Sequence, residues 1–234
     1  MGIISIENTD RLFWLGRYSE RVYSTIRLFA KSFDAMIDDK LDSYEDFCRQ
    51  LDIPNRYGSR EEFCRDYCFS PQDPNSIYSN LIRAYDNCVT LREEIGSETV
   101  SHIQLAVYAM DRARISHAPV VELQRVNDCI LAFWGLADDR IESENTRNII
   151  KVGKRVERLD LYGRLRLPRA ELLREVHRLA GRIPKTFLSY HADRLKELEP
   201  LALAPVIDYD NIVALVDNLL EDRPVCWSCV SPIA

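Results

Sequence analysis

Residues 7–21 read ENTDRLFWLGRYSER, and residues 144–158 read ENTRNIIKVGKRVER. The two stretches are 137 positions apart and share a Glu-Asn-Thr opening, a glycine and a Glu-Arg pair. Extended to residues 7–28 and 144–165, an ungapped alignment has eight identities in twenty-two positions, and Arg17/Lys154 preserves charge. This pattern points to a duplicated helix. At about 100° per residue, Thr9, Gly16, Glu20 and Arg27 fall within roughly 40° of one another on a helix. They form a stripe beside the apolar face that runs through Leu12, Leu15, Val22, Ile26, Phe29, Phe33 and Ile37. A glycine inside a helix costs about 1 kcal/mol against alanine. Glycine at the same place in both copies therefore predicts close backbone approach by another helix. We expect the two copies to pack about a pseudo-twofold axis, with the Glu20 and Glu157 carboxylates near the contact.

A buried carboxylate needs a partner or takes up a proton. Arg21, Arg27, Arg158 and Arg164 are the expected partners. Two readings stay open. In one, the acids and arginines form a structural network that holds two halves in register. In the other, they line a pocket for a phosphate or carboxylate, which the planar arginine fork suits. The candidate ligand-binding residues are Arg17, Glu20, Arg21, Arg27, Arg83, Arg92, Glu157, Arg158 and Arg164. Glu20 and Glu157 are the candidates for catalysis.

The same 3.6-residue period continues along the chain. It predicts a helix over about 9–38 capped by Thr9, then a short helix or two and a long connection over 40–75. Ser59 and Glu62 form a capping-box pattern there. Asp73-Pro74 is expected to open the next helix, Gly96-Ser97 to break it, and Pro119 to open another. Thr146 is expected to cap the repeated helix, 146–167. Pro168 and Pro184 then start two more, the second running to about Leu198. The segment PLALAPVID reads as extended, and 209–221 as a last helix. No segment alternates over strand length. The fold class is all-α, a bundle-like single domain of 1–234 built from two related halves, about 1–140 and 141–234, with the second half truncated.

The 234 residues carry a net charge of −6, which argues against binding duplex nucleic acid through bulk charge. No apolar run reaches the roughly 18 residues of a membrane span. The N-terminus lacks the pattern of a secretion signal and of a myristoylation site. The seven cysteines, an odd number, read as reduced thiols, and the expected location is the cytoplasm.

Other chemistry has weaker support. Cys226 and Cys229 have zinc or redox spacing, and Cys64 with Cys68 is the other close pair. Glu98 and His102 share a helix face and could ligate a metal, giving a metal-dependent carboxylate enzyme as one alternative. No P-loop, dinucleotide-binding glycine pattern or GxSxG elbow occurs, so no cofactor and no metal is assigned.

FWLGRYSER at 13–21, DPNSIYSNLIRAYDNCVTLREEIGSE at 73–98 and VGKRVER at 152–158 together resemble the alpha-E family of bacterial helical proteins. In that family a Gly-Arg-x-x-Glu-Arg helix appears in both halves, with an Asn-Ser helix and an arginine-rich one between them. The resemblance implies two partners, a circularly permuted ATP-grasp ligase and a transglutaminase-like protein. It thereby implies a role in peptide or amide-bond ligation or modification, with an anionic small molecule or peptide as ligand. The alternative is a non-catalytic interaction module whose Glu-Arg network is structural. In the second half, LLEDRPVCWSCV at 219–230 stands where the family repeats its middle motif, and a second arginine-rich helix is missing.

Overall fold

A computed structural model describes residues 5–37 and 43–221. The pair Cys226 and Cys229, and most of the expected counterpart of the middle motif, lie outside the described residues. Among the described residues there are eleven α-helices and one 3-10 turn. They are α1 (Ile6–Ile37), α2 (Ser43–Leu51), α3 (Arg60–Phe69), α4 (Ile77–Thr90), α5 (Arg92–Ile95), α6 (Ser97–Arg114), α7 (Pro119–Arg140), α8 (Glu144–Arg164), α9 (Arg169–Ala180), α10 (Ala192–Leu203) and α11 (Tyr209–Asp217), with the 3-10 turn at Ile183–Lys185 between α9 and α10. The only β-type pairing among them is an isolated bridge between Tyr190 and Leu220. The all-α expectation holds. None of these helices is long and apolar enough to cross a membrane.

Contacts divide the chain into two compact units, one of residues 1–17 and 141–234, the other of residues 18–140. In the second unit α6 packs along α7 and against α4. The long connection condenses into α2 and α3; Phe63 and Tyr67 of α3 meet Phe29 of α1, and Phe47 of α2 packs on the same two rings, the Phe63 ring centroid being 5.3 Å from that of Phe47 and 5.9 Å from that of Phe29. Offset and edge-on rings at this spacing are attractive beyond their buried area. Ser59 caps α3 by accepting from the Glu62 amide, while the Glu62 carboxylate reaches back to the Gly58 amide at 2.7 Å.

In the first unit α8 is the central element, covered by α9, α11 and the 3-10 turn, while α10 bridges α9 and α11. Its core is Ile149, Val152, Val156 and Leu159 of α8 with Leu172, Leu179, Ile183, Leu198 and Ile212, all buried.

Several boundaries differ from the sequence expectation, each for a local reason. Both repeat helices start before their threonines. Ser5 accepts from the Asn8 amide at 3.1 Å while Thr9 donates its hydroxyl back to Ser5, and Ser143 caps α8 through the Thr146 amide. Asp73 does not cap α4. Its carboxylate is taken by the Asn75 amide at 2.8 Å and the Tyr57 hydroxyl at 2.6 Å, and Ser76 caps instead. Pro184 starts only one 3-10 turn, because the donors that follow find partners elsewhere: Phe187 N–H on Asn145 Oδ1 at 3.0 Å and His191 N–H on Leu219 O at 2.9 Å. The helix expected there begins at Ala192 and continues through Pro200, so PLALAPVID is helical over its first residues. Buried Leu198 and Ala202 hold the turn that the proline weakens.

Candidate functional site

The two repeated glycines meet the other repeat helix directly. A Cβ placed on Gly16 would lie 2.0 Å from Ile150 O and 3.0 Å from Lys154 N, and one placed on Gly153 would lie 2.1 Å from Phe13 O and 3.1 Å from Arg17 N. Shifting each residue of the first set by 137 yields the second, with the partners exchanged. The crossing of α1 and α8 at this point therefore has pseudo-twofold symmetry, of the self-complementary kind that a twofold contact requires. Backbone touches backbone, so any side chain at either glycine would force the helices apart.

One turn from Gly153, Glu157 is 4 % exposed. It accepts from Arg17 Nε at 2.7 Å, with side-chain exposures of 12 % for the arginine and 5 % for the glutamate. Arg17 also stands 3.7 Å from Asp160 and lies over the Trp14 ring, 5.2 Å from its centroid. Asp160 in turn accepts from Arg164 at 2.9 Å. Burial, then the neighbouring Glu157 carboxylate, push the Asp160 carboxyl above its usual range in spite of Arg17 and Arg164. Gly153, Glu157, Asp160 and Arg164 share one stripe of α8, as the 3.6 period dictates. The sequence reading missed Asp160, although its place four residues before Arg164 is a helix charge-pair signal.

The second residue of the motif points elsewhere. Arg158 lies 3.6 Å from Glu175 of α9, a carboxylate with no solvent exposure. Glu175 is also held by Arg155 and Arg178, each at 2.8 Å, and stands 3.8 Å from Arg174. Burial pushes this carboxyl up, but Arg155 foremost, then Arg158 and Arg178, hold it below the usual carboxylate range. The signal that could have found it is a charged residue inside the buried stripe of Leu172, Val176 and Leu179.

The remaining candidates lie in the unit of residues 18–140. Glu20 has no exposure and accepts from Ser24 at 2.8 Å. Arg21 is half-buried. Arg27 is exposed, over its own neighbour Tyr23 at 5.5 Å. Arg83 donates to Pro74 O at 2.8 Å and lies 5.8 Å from the Tyr18 ring, at the edge of an open groove of about 320 Å³ lined with Pro71, Tyr78, Ser79 and Ile82. Arg92 donates to the Ser97 hydroxyl at 2.9 Å.

Among the described residues, no group of three or more His, Cys, Asp and Glu side chains is placed to hold a metal ion. Glu98 is 3.6 Å from Arg140 on the surface. Cys64 and Cys68 are free thiols, both raised above the usual range by burial first.

A family model named Alpha-E, described as a predicted alpha-helical domain with a conserved ER motif, matches residues 8–186. No curated protein and no solved structure matches the chain. In this sequence Glu20-Arg21 and Glu157-Arg158 are the two occurrences of an ER pair on the duplicated helix.

Proposed function

The chain belongs to the Alpha-E family, and from that premise we propose that its Glu-Arg motif is a structural clasp, within an accessory, anion-binding component of a peptide or amide-bond ligation system. The partners in this reading are a circularly permuted ATP-grasp ligase and a transglutaminase-like protein, and the ligand is an anionic small molecule or peptide. One observation carries the clasp: the motif carboxylate of Glu157 is engaged by Arg17 of the sister helix at 2.7 Å, beside a backbone-to-backbone glycine crossing. A general acid or base has to reach a reacting group. A carboxylate 5 % exposed and already bonded to a guanidinium at that crossing is better suited to holding register than to turnover.

The test separates the clasp from a site. Breaking a buried ion pair by removing one partner costs about 3–5 kcal/mol. Glu157→Gln should therefore lower the melting temperature markedly. The chain should still copurify with a coexpressed ATP-grasp ligase at temperatures where it is folded. A Glu157→Gln protein with unchanged melting that no longer binds its ligand or ligase would overturn this reading. The interaction-module alternative predicts copurification without any small-molecule binding.

A further inference from the structure

We propose that the groove beside Arg83, within the unit of residues 18–140, binds the free C-terminal carboxylate of a peptide that ends in an apolar residue. This site deepens the anion-binding reading above and rests on it. The groove is built on the motif DPNSIYSNLIRAYDN at 73–87, which the Glu-Arg clasp leaves without a role. Tyr78, Ser79, Ile82 and Arg83 stand three and four residues apart, which puts them on one face of α4. Pro71 of the preceding connection completes the lining.

The Arg83 guanidinium is held by groups that leave its charge standing. Its Nη1 donates to Pro74 O at 2.8 Å, and it lies 5.8 Å from the centroid of the Tyr18 ring, which is 3 % exposed and so fixed by packing. Among the described residues no carboxylate pairs with Arg83, and its Nε and Nη2 have no acceptor. That edge of the fork is one that takes a carboxylate through two parallel bonds. Asp73, next to Pro74 in the chain, gives its carboxylate to the Asn75 amide and the Tyr57 hydroxyl instead. The Ser79 hydroxyl donates to Ser70 O and Pro71 O at 3.3 Å each, long for an O–H···O bond. Ser70 O already accepts from Ser76 at 2.6 Å, so the Ser79 hydroxyl can turn to a ligand at little cost. The first turn of α4 bears no acidic side chain, so the partial positive charge of the helix start adds to that of Arg83.

The lining also selects the kind of anion. One standing cation matches one carboxylate, whereas a polyphosphate would bring charge that the groove does not meet. No lining residue is acidic, so the α-ammonium of a free amino acid would find no counter-charge. The amide that precedes a peptide's last residue carries no charge to satisfy. Pro71, Tyr78 and Ile82 offer apolar surface for the last side chain. The volume, about 320 Å³, is at the lower end of the roughly 300–1,000 Å³ of small-molecule sites and suits the end of a peptide. Amide-bond ligation consumes a carboxylate, so a component that captures peptide ends by theirs fits the ligation reading.

The test is isothermal titration of the full chain, at about 0.15 M salt, with the N-acetylated peptide Gly-Gly-Ala-Leu as its free acid and as its C-terminal amide. The expected result is one saturable site for the acid, with a dissociation constant at or below roughly 1 mM, and affinity about tenfold or more lower for the amide. This comparison needs no variant and stands even where Arg83→Gln fails to fold. Folded Arg83→Gln should lose the preference for the acid, and Arg83→Lys should keep part of it. Arg125→Gln, at an exposed pair with Glu122 on α7, should bind as wild type. The acid ending in glycine should bind more weakly than the one ending in leucine. Absence of saturable binding of the acid, equal affinity for acid and amide, a wild-type preference in folded Arg83→Gln, equal affinity for the leucine and glycine ends, or free leucine or inorganic phosphate binding as tightly as the peptide would each overturn the site. A chain that binds the acid equally well with and without Arg83 still binds an anion, and the groove alone is refuted. One that shows the expected discrimination without ever copurifying with the ligase refutes the ligation role alone.

Discussion

Gly16→Ala is the sharpest test of the crossing. On an exposed helix the change would stabilise by about 1 kcal/mol, since alanine is the better helix former. Here the new Cβ would sit 2.0 Å from Ile150 O, a backbone atom that cannot rotate away. Ordinary contact begins near 3.4 Å, so α1 and α8 must part by about 1.4 Å. That movement stretches the 2.7 Å Arg17–Glu157 bond and loosens the buried side chains around it. Overpacking of this kind costs about 1–3 kcal/mol and at times more. With the clasp weakened as well, we expect a net loss of about 2 kcal/mol, or roughly 4–8 °C in Tm for a chain of this size. Gly153→Ala should cost the same within error, because its Cβ would meet Phe13 O at 2.1 Å. The double variant should cost clearly less than the sum, since one separation of the helices makes room for both methyls. The control is Gly135→Ala in α7, where a Cβ meets nothing within 4 Å, and this variant should be stabilised. Thermal and urea melts of the four proteins decide the matter. If Gly16→Ala behaves like Gly135→Ala, the crossing is not as described.

Three further predictions follow from the charges of α8 and α9. Glu175 has a carboxyl held below its ordinary range, so its stabilisation is complete above that range and fades as pH falls through the lowered folded value; Glu175→Gln should cost about 3–5 kcal/mol at neutral pH, with the gap to wild type closing in acid melts below about pH 4. Asp160 has its carboxyl raised, so its ionised form is disfavoured in the fold. Asp160→Asn should melt higher than wild type at pH 7, and the advantage should vanish as pH falls through the ordinary aspartate range near about 4. Lys151, lowered to about 8, penalises the fold most below that pH, so Lys151→Met should be stabilised at pH 7 and lose its advantage as pH rises towards the ordinary lysine range, about 10.4. A pH-independent difference in any of these pairs would refute the electrostatic account of that residue.

Much of the fold could be read along single helices. The 3.6 period that buries Leu12, Leu15 and Val22 is a local property, and so is the coincidence of Gly16 with Gly153. A glycine in mid-helix with a duplicate at the same register announces a close crossing before any coordinates exist, because little else offsets its cost. Helix starts were legible where the capping side chain had no competing donor, as at Ser59. They were misread where it did, as at Asp73, whose oxygens are claimed by Asn75 and Tyr57.

What the amino-acid sequence determined by itself was the all-helical class, the duplication and the contact point of the two copies. Each depends on spacing within one helix. Only the tertiary structure decided that Arg17 closes on Glu157, that Arg158 turns to Glu175, and that Lys151, Arg155 and Arg182 gather on one face. Those groupings depend on the rotation and register of separate helices, which are set by the packing of side chains far apart in the chain and leave no fixed spacing between the charges they bring together.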